Sequence, residues 1–424
     1  MPETVSQLVT AVVAGLLATA CGSHLASADN LPADNLPSEQ DFGLIERGRY
    51  LTSVADCAAC HTDPESNAPF AGGRPIETPF GKVVSPNITP DLETGIGTWT
   101  DAQFDGALRL GRDNEGARLY PAMPFPYYAR MTAEDVRAIR AYLRTIPPVH
   151  HEVKSNQLPF PFDIRAGMAL WDALYFEPGT FKPDPKKSAQ WNRGAYLVLG
   201  PGHCGACHTP KNVLGGDHKQ QALQGYSIQG WFAPNITDDT ALGLGRWSAQ
   251  DVVTYLKDGH NRLAGASGPM AEEVANSSSR MSDADLEAIA VYLKDQHGGT
   301  ASTKALAATD PQMVAGGAIY RDLCSACHAP DGSGVDYLVP NLAQSSSVSS
   351  REPTSLLRVV IHGAQTVATQ KEPTAPAMPA FGWQLTDAQI AAVITFVRNS
   401  WGHAAPALSA SDVHKMRSLA SEGG

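Results

Sequence analysis

The sequence predicts an all-α protein made of three small domains in tandem. Three observations carry this reading. A Cys-x-x-Cys-His pentad occurs three times, the segments after the pentads repeat one another, and each repeat closes on an amphipathic helix with the same entry. The expected bounds are 41–150, 188–298 and 310–403, after an export signal over 1–28. A chain of 424 residues suits about three domains.

The repeats can be aligned by eye. Pro86-Asn87-Ile88-Thr89 through Gly95-Ile96-Gly97-Thr98-Trp99 is matched without a gap by Pro234-Asn235-Ile236-Thr237 through Gly243-Leu244-Gly245-Arg246-Trp247. The third copy is shorter and retains Pro340-Asn341-Leu342. The closing helices open at Met131-Thr132, Met281-Ser282 and Leu385-Thr386. Thr or Ser fits the N-cap, with Asp135, Asp285 or Gln389 three positions on. Apolar residues then recur at helical spacing through Ile139, Tyr142 and Leu143, through Ile289, Tyr292 and Leu293, and through Val393, Phe396 and Val397.

Two connectors separate the repeats. The first, Pro147 to Ala189, is rich in Pro and aromatics (Phe160, Phe162, Trp171, Tyr175, Phe176) and is too apolar for a flexible spacer. It is expected to pack along the domains or against a partner. Gly298 to Thr309, of mostly small residues, reads as an ordinary linker.

Six of the seven cysteines fall in the pentads Cys57-Ala58-Ala59-Cys60-His61, Cys204-Gly205-Ala206-Cys207-His208 and Cys324-Ser325-Ala326-Cys327-His328. Two thiols three positions apart can add to the two vinyl groups of one haem. The adjacent His then lies under the iron as proximal ligand. A zinc site wants four ligands, commonly from two such pairs, and each repeat has one pair. A thioredoxin-like redox pair would want a βαβ setting. The reading is therefore three covalently bound haem c, with His61, His208 and His328 as proximal ligands.

A Met thioether as sixth ligand raises the potential and closes the iron to small molecules, which suits electron transfer. Met131 and Met281 align with Leu385, which cannot ligate iron, so that position is assigned to packing. This leaves Met123, Met270 and Met378, each touching a proline and each ahead of the closing helix. Proline there is expected to hold a stiff, extended loop that aims the sulfur.

Other recurring residues keep two readings. Trp99 and Trp247 fit either the porphyrin and its propionates or a plain core. Asn87 and Asn235 follow proline and fit an Asx turn. Arg74 suits a propionate or open water. His203 is unassigned.

Val9 to Ala20 is an apolar run of signal length, followed by Ala26-Ser27-Ala28 as a cleavage site and, alternatively, by Cys21 as a lipid-accepting residue. The formal net charge of −11, without a block of Lys or Arg, excludes a nucleic-acid partner. The one Gly-x-Gly-x-x-Gly match, Gly200 to Gly205, runs straight into the second pentad and lacks the βαβ setting of a flavin or nicotinamide fingerprint, so the chain is expected to oxidise no substrate by itself.

Taken together, these segments resemble the triple-haem cytochrome c subunit of membrane-bound bacterial dehydrogenases, of the alcohol, gluconate, sorbitol and fructose types. The resemblance runs from about Phe42 to Pro406. It rests on the pentads, on Asn87-Ile88-Thr89-Pro90-Asp91, on Tyr120-Pro121-Ala122-Met123-Pro124, on Gly200-Pro201-Gly202-His203, on Gly243-Leu244-Gly245-Arg246-Trp247-Ser248 and on Ala377-Met378-Pro379. It implies three class I cytochrome c-like domains on the periplasmic face of the cytoplasmic membrane. It also implies a large catalytic partner, a pyrroloquinoline-quinone protein or a flavoprotein, and ubiquinone as acceptor. Membrane attachment would rest on the partner, on the aromatic connector or on Cys21. A stand-alone periplasmic carrier or oxidase subunit is the alternative. A haem peroxidase needs an open or labile sixth position, against which the three methionines argue.

Overall fold

The computed structural model describes residues 42–66, 68–298 and 304–421. The expected export signal over 1–28, with Cys21, lies outside the described residues. The first repeat runs α1 (Phe42–Val54), α2 (Cys57–His61), a hairpin of β1 (Pro75–Thr78) and β2 (Gly81–Val84), then α3 (Asp101–Leu110), α4 (Phe125–Tyr128) and α5 (Ala133–Leu143). After α6 (Met168–Tyr175) in the connector, the second repeat follows the same order. It comprises α7 (Ala189–Leu199), α8 (Gly205–His208), a hairpin of β3 (Tyr226–Ile228) and β4 (Trp231–Ala233), α9 (Ala249–Asp258), α10 (Pro269–Asn276) and α11 (Asp283–Leu293). The third has α12 (Pro311–Ile319), α13 (Ser325–His328), α14 (Ser346–Ser349) and α15 (Thr354–His362). The short pair β5 (Ala364–Gln365) and β6 (Ala377–Met378), α16 (Asp387–Val397) and α17 (Ala410–Ser421) complete it. The fold is helical, with three two-stranded antiparallel hairpins that the sequence reading did not name.

Each repeat is organised by one helix crossing. The helix before the pentad packs on the closing helix: α1 on α5, α7 on α11, and α12 on α16. A glycine sits at each crossing. A Cβ on Gly48, Gly194 or Gly316 would run into the backbone carbonyl of Ala138, Ala288 or Ala392 respectively. Only a residue without a side chain lets the two backbones approach so closely. Around the crossings lie three apolar cores. One holds Leu51, Phe104, Val136 and Ile139, the second Leu197, Trp247, Val252 and Ile289, the third Tyr320, Leu357, Ile390 and Ile394. Met131, Met281 and Leu385 are buried in equivalent places, one in each core, as their alignment anticipated.

The closing helices begin as expected, with Thr132, Ser282 and Thr386 accepting from the N–H three positions on. Only Thr386 completes the reciprocal box with its Gln389. In the other two helices the N3 carboxylate has turned to a different task. Asp135 takes Arg47 of its own repeat at 2.7 Å and the Tyr196 hydroxyl of the second repeat. Asp285 takes Arg193 of its own repeat at 2.7 Å and the Tyr50 hydroxyl of the first repeat at 2.5 Å. The two halves are equivalent, so the first and second repeats clasp each other by a local two-fold arrangement. The third repeat joins the second through Lys371 to Asp258 at 2.8 Å, the Phe232 N–H donating to Ser355 at 2.8 Å, and Val367 against Val274.

The connector packs along the domains on one side. Phe176 and Trp171 pack against Phe125, and the Trp171 indole N–H donates to Leu214 O at 2.9 Å. On its other side Phe160 (79% exposed), Leu170 and Leu174 face outward, with no residue of α6 buried. Phe162 packs at a tilt against Phe80 with centroids 5.0 Å apart and keeps 40% of its surface exposed. No helix among the described residues is long and apolar enough to cross a membrane.

Candidate functional site

Each pentad forms one turn of helix, in α2, α8 and α13 with the cysteine that precedes the last two. Helical i, i+3 spacing places the two sulfurs of each pair on one face. All six thiols are free of disulfides. Burial pushes Cys57, Cys60 and Cys204 up to about 12 and Cys324 up to about 11, so they are held as neutral thiols. A structural zinc needs a full ligand set. Among the described residues, no three Cys, His, Asp or Glu side chains gather as a metal-holding group.

The three histidines share one restraint that sequence reasoning did not identify. His61 Nδ1 lies 2.8 Å from Pro86 O, His208 Nδ1 2.6 Å from Pro234 O, and His328 Nδ1 3.3 Å from Pro340 O. A carbonyl can only accept, so each Nδ1 carries the proton and each Nε2 is left with its lone pair. Burial lowers the basicity of all three rings, opposed by the same carbonyls. A neutral imidazole with a fixed tautomer is the form that ligates a metal.

The repeated Asn after each proline shapes the turn that presents the carbonyl. Asn87 Oδ1 accepts from the Thr89 N–H at 2.9 Å, and Asn235 Oδ1 from the Thr237 N–H at 2.8 Å, which are the anticipated Asx turns. Asn341 caps a short turn at Gln344 in the same way. The signal was present in the sequence as a Pro-Asn pair after every pentad, but the partner of its carbonyl was not.

The three proposed sixth ligands sit on different local structures. Met123 lies in a tight turn, its N–H bonded to Tyr120 O, and packs on the first core. Met378 lies on β6 opposite Ala364. Met270 departs from the extended loop expected for it. Pro269 is the first residue of α10, where a missing N–H costs nothing, and Met270 is the second. Trp99 and Trp247 pack against the first and second cores. Arg74 is engaged by the protein itself. It donates to Ala59 O inside the first pentad and forms an ion pair with Glu272 of α10. His203 is no longer unassigned: its ring stands edge-on to Tyr128 of the first repeat, centroids 5.6 Å apart.

The first two pentads lie near one another. Besides burial, Cys60 is pushed up by Asp56, by Glu272 and by Cys207 of the second pentad, with Arg74 opposing. Asp56, just ahead of Cys57, is pushed up to about 9 by burial and then by Glu273 and Glu272.

A Cys pair on one helical turn beside a tautomer-locked imidazole fits a haem bound through two thioethers and one axial His. Comparison with known proteins agrees. The cytochrome c family profile matches residues 45–147 and 313–401, which hold the first and third pentads. The gluconate 2-dehydrogenase cytochrome c subunit of Pantoea cypripedii is 40% identical over 396 residues, 88% of this chain and 89% of that one. The cytochrome c subunit of alcohol dehydrogenase (quinone) from Gluconacetobacter polyoxogenes is 39% identical over 402 residues, 89% and 85% of the two chains. The chain belongs to the family of dehydrogenase cytochrome c subunits. The fructose dehydrogenase cytochrome subunit of Gluconobacter japonicus, 38% identical over 91% of this chain, is a further relative. As a cytochrome c, this subunit binds haem covalently and transports electrons.

Proposed function

We propose that this cytochrome c subunit carries three haem c on three class I cytochrome c-like domains, spanning 41–150, 188–298 and 310–403. Cys57 and Cys60, Cys204 and Cys207, and Cys324 and Cys327 are the thioether anchors. His61 with Met123, His208 with Met270, and His328 with Met378 are the axial pairs. The subunit takes electrons from the large catalytic subunit of a dehydrogenase, a quinoprotein or a flavoprotein. It passes them to ubiquinone at the periplasmic face of the membrane. The observation that carries the reading is the arrangement found three times: a disulfide-free Cys pair on one helical turn, a His whose Nδ1 is committed to a proline carbonyl, and a Met next to proline. When bound, the haems supply reversible one-electron chemistry. The protein's own part is to fix the imidazole tautomer and hold the sites close together.

Denaturing mass spectrometry is expected to show the mass of three haems, surviving acid and organic extraction. Fewer haems, or stoichiometric zinc, would overturn the assignment.

The outward face of the connector is the surface offered to membrane and quinone. Exposed apolar patches of this kind generally mark interaction sites. Replacing Phe160 and Phe162 together by Ser should lower quinone reduction or membrane retention and leave reduction by the catalytic partner unchanged. Wild-type values of both would make the segment structural only.

A further inference from the structure

The second pentad is the only one of the three with glycine after its first cysteine; the others have Ala58 and Ser325. Thioether chemistry does not require that glycine, since its two sulfurs and its His are supplied by other positions. The structure supplies a reason. A Cβ at position 205 would lie 2.8 Å from the Tyr127 hydroxyl and 2.9 Å from the Tyr127 ring. Tyr127 belongs to α4 of the first repeat, four residues beyond Met123. Its hydroxyl donates to Asp217 of the second repeat at 2.6 Å, and Lys211 holds that carboxylate at 2.5 Å. Thus the segment carrying the first site's Met is seated on the helical turn that anchors the second site.

The converse also holds. Helix α10, which carries Met270, packs on α2 of the first pentad. Arg74 joins them, with one guanidinium bonded both to Ala59 O at 2.5 Å and to Glu272 at 2.9 Å. Ser277, just past α10, donates to Val54 O at 3.2 Å in the first repeat.

We propose that the first two haem sites are cross-braced: Tyr127 seated on Gly205 and bonded to Asp217 positions the Met123 segment, and Arg74 bonded to Ala59 and Glu272 positions the Met270 segment. Tyr127, Asp217 and Arg74 are positioning residues, and Gly205 is the clearance that Tyr127 requires. This rests on Met123 and Met270 being the axial ligands. Its consequence is that a change in one repeat is read at the haem of the other.

The test uses the full haem-loaded chain and follows the sulfur-to-iron charge-transfer band and the separate midpoint potentials. Met123→Ala and Met270→Ala first assign each haem's share of the band. If neither removes its share, the ligand reading itself fails. Gly205→Ala leaves the second pentad with the composition of the first, Cys-Ala-Ala-Cys-His. It is expected to weaken the band and lower the potential of the haem assigned by Met123, although the substitution lies in the other repeat. Tyr127→Phe keeps the ring and removes the bond to Asp217. It should move the same haem in the same direction, and it stands as the test if Gly205→Ala does not fold. Arg74→Gln should shift the haem assigned by Met270. Ligand variants that remove their shares, combined with wild-type potentials in Tyr127→Phe and Arg74→Gln, would overturn the cross-bracing and leave the ligand assignment standing. A Gly205→Ala effect confined to the second haem would overturn it as well.

Discussion

Met378→Ala is expected to abolish one haem's share of the sulfur-to-iron band in the oxidised protein and to lower that haem's potential sharply. A thioether stabilises the reduced iron, and no alanine can replace it. The contrasting variant is Met281→Ala. Met281 is 3% exposed in the second core, in the place that Leu385 fills in the third. Its truncation should leave every band intact and cost about 2–5 kcal/mol of stability through lost packing and the cavity left behind. Optical spectra alongside urea unfolding of the two variants separate the roles. If Met281→Ala removes the second haem's band, Met270 is the wrong choice.

The second large effect is expected at the clasp between the first two repeats. Asp285 is buried and receives two bonds from Arg193 and one from Tyr50. Burial pushes its carboxyl up, but the bonds from Arg193 and Tyr50 outweigh that and hold it below the ordinary Asp value. Asp285→Asn keeps the shape and removes the charge. It should destabilise the protein by about 3 kcal/mol at pH 7, the lower end of the range for breaking a buried pair, because Arg193 is partly exposed. The depressed pKa fixes the sign of the pH dependence. The contribution is complete above the unfolded Asp value of about 4 and disappears as pH falls through the lower folded value. Urea midpoints of the wild type and variant should therefore differ at pH 7 and converge below about pH 4. A gap that stays constant over that range would show that the ionised carboxylate contributes nothing.

Asp135 and Asp285 also show how far the sequence could be read. Their helices, caps and buried faces followed from local pattern, because N-caps and 3.6-residue spacing are short-range signals. The pentads were legible for the same reason, since both cysteines and the His lie on one helical turn. The two aspartates looked like ordinary N3 residues of a capping box. Their actual partners, Tyr196 and Tyr50, lie 61 and 235 positions away in sequence, and no local rule connects them. The Pro86, Pro234 and Pro340 carbonyls were hidden in a different way. The proline was visible, but a backbone acceptor has no letter of its own. Gly205 was visible too, as one letter of a pentad; only the Tyr127 ring lying over it gives that glycine a reason.

The reciprocal clasp bears on direction. A two-fold arrangement treats its halves alike, so Tyr50 with Asp285 and Tyr196 with Asp135 favour neither side as donor. Any preference for electrons to travel one way between the first two repeats must come from where the halves differ. The ionic bridge of Arg74 and Glu272 lies beside the first pentad, while Tyr127 and its Asp217 lie beside the second. With the proposed haems in place, any polarity in this pair would rest on such departures from symmetry, the clasp itself being neutral to direction.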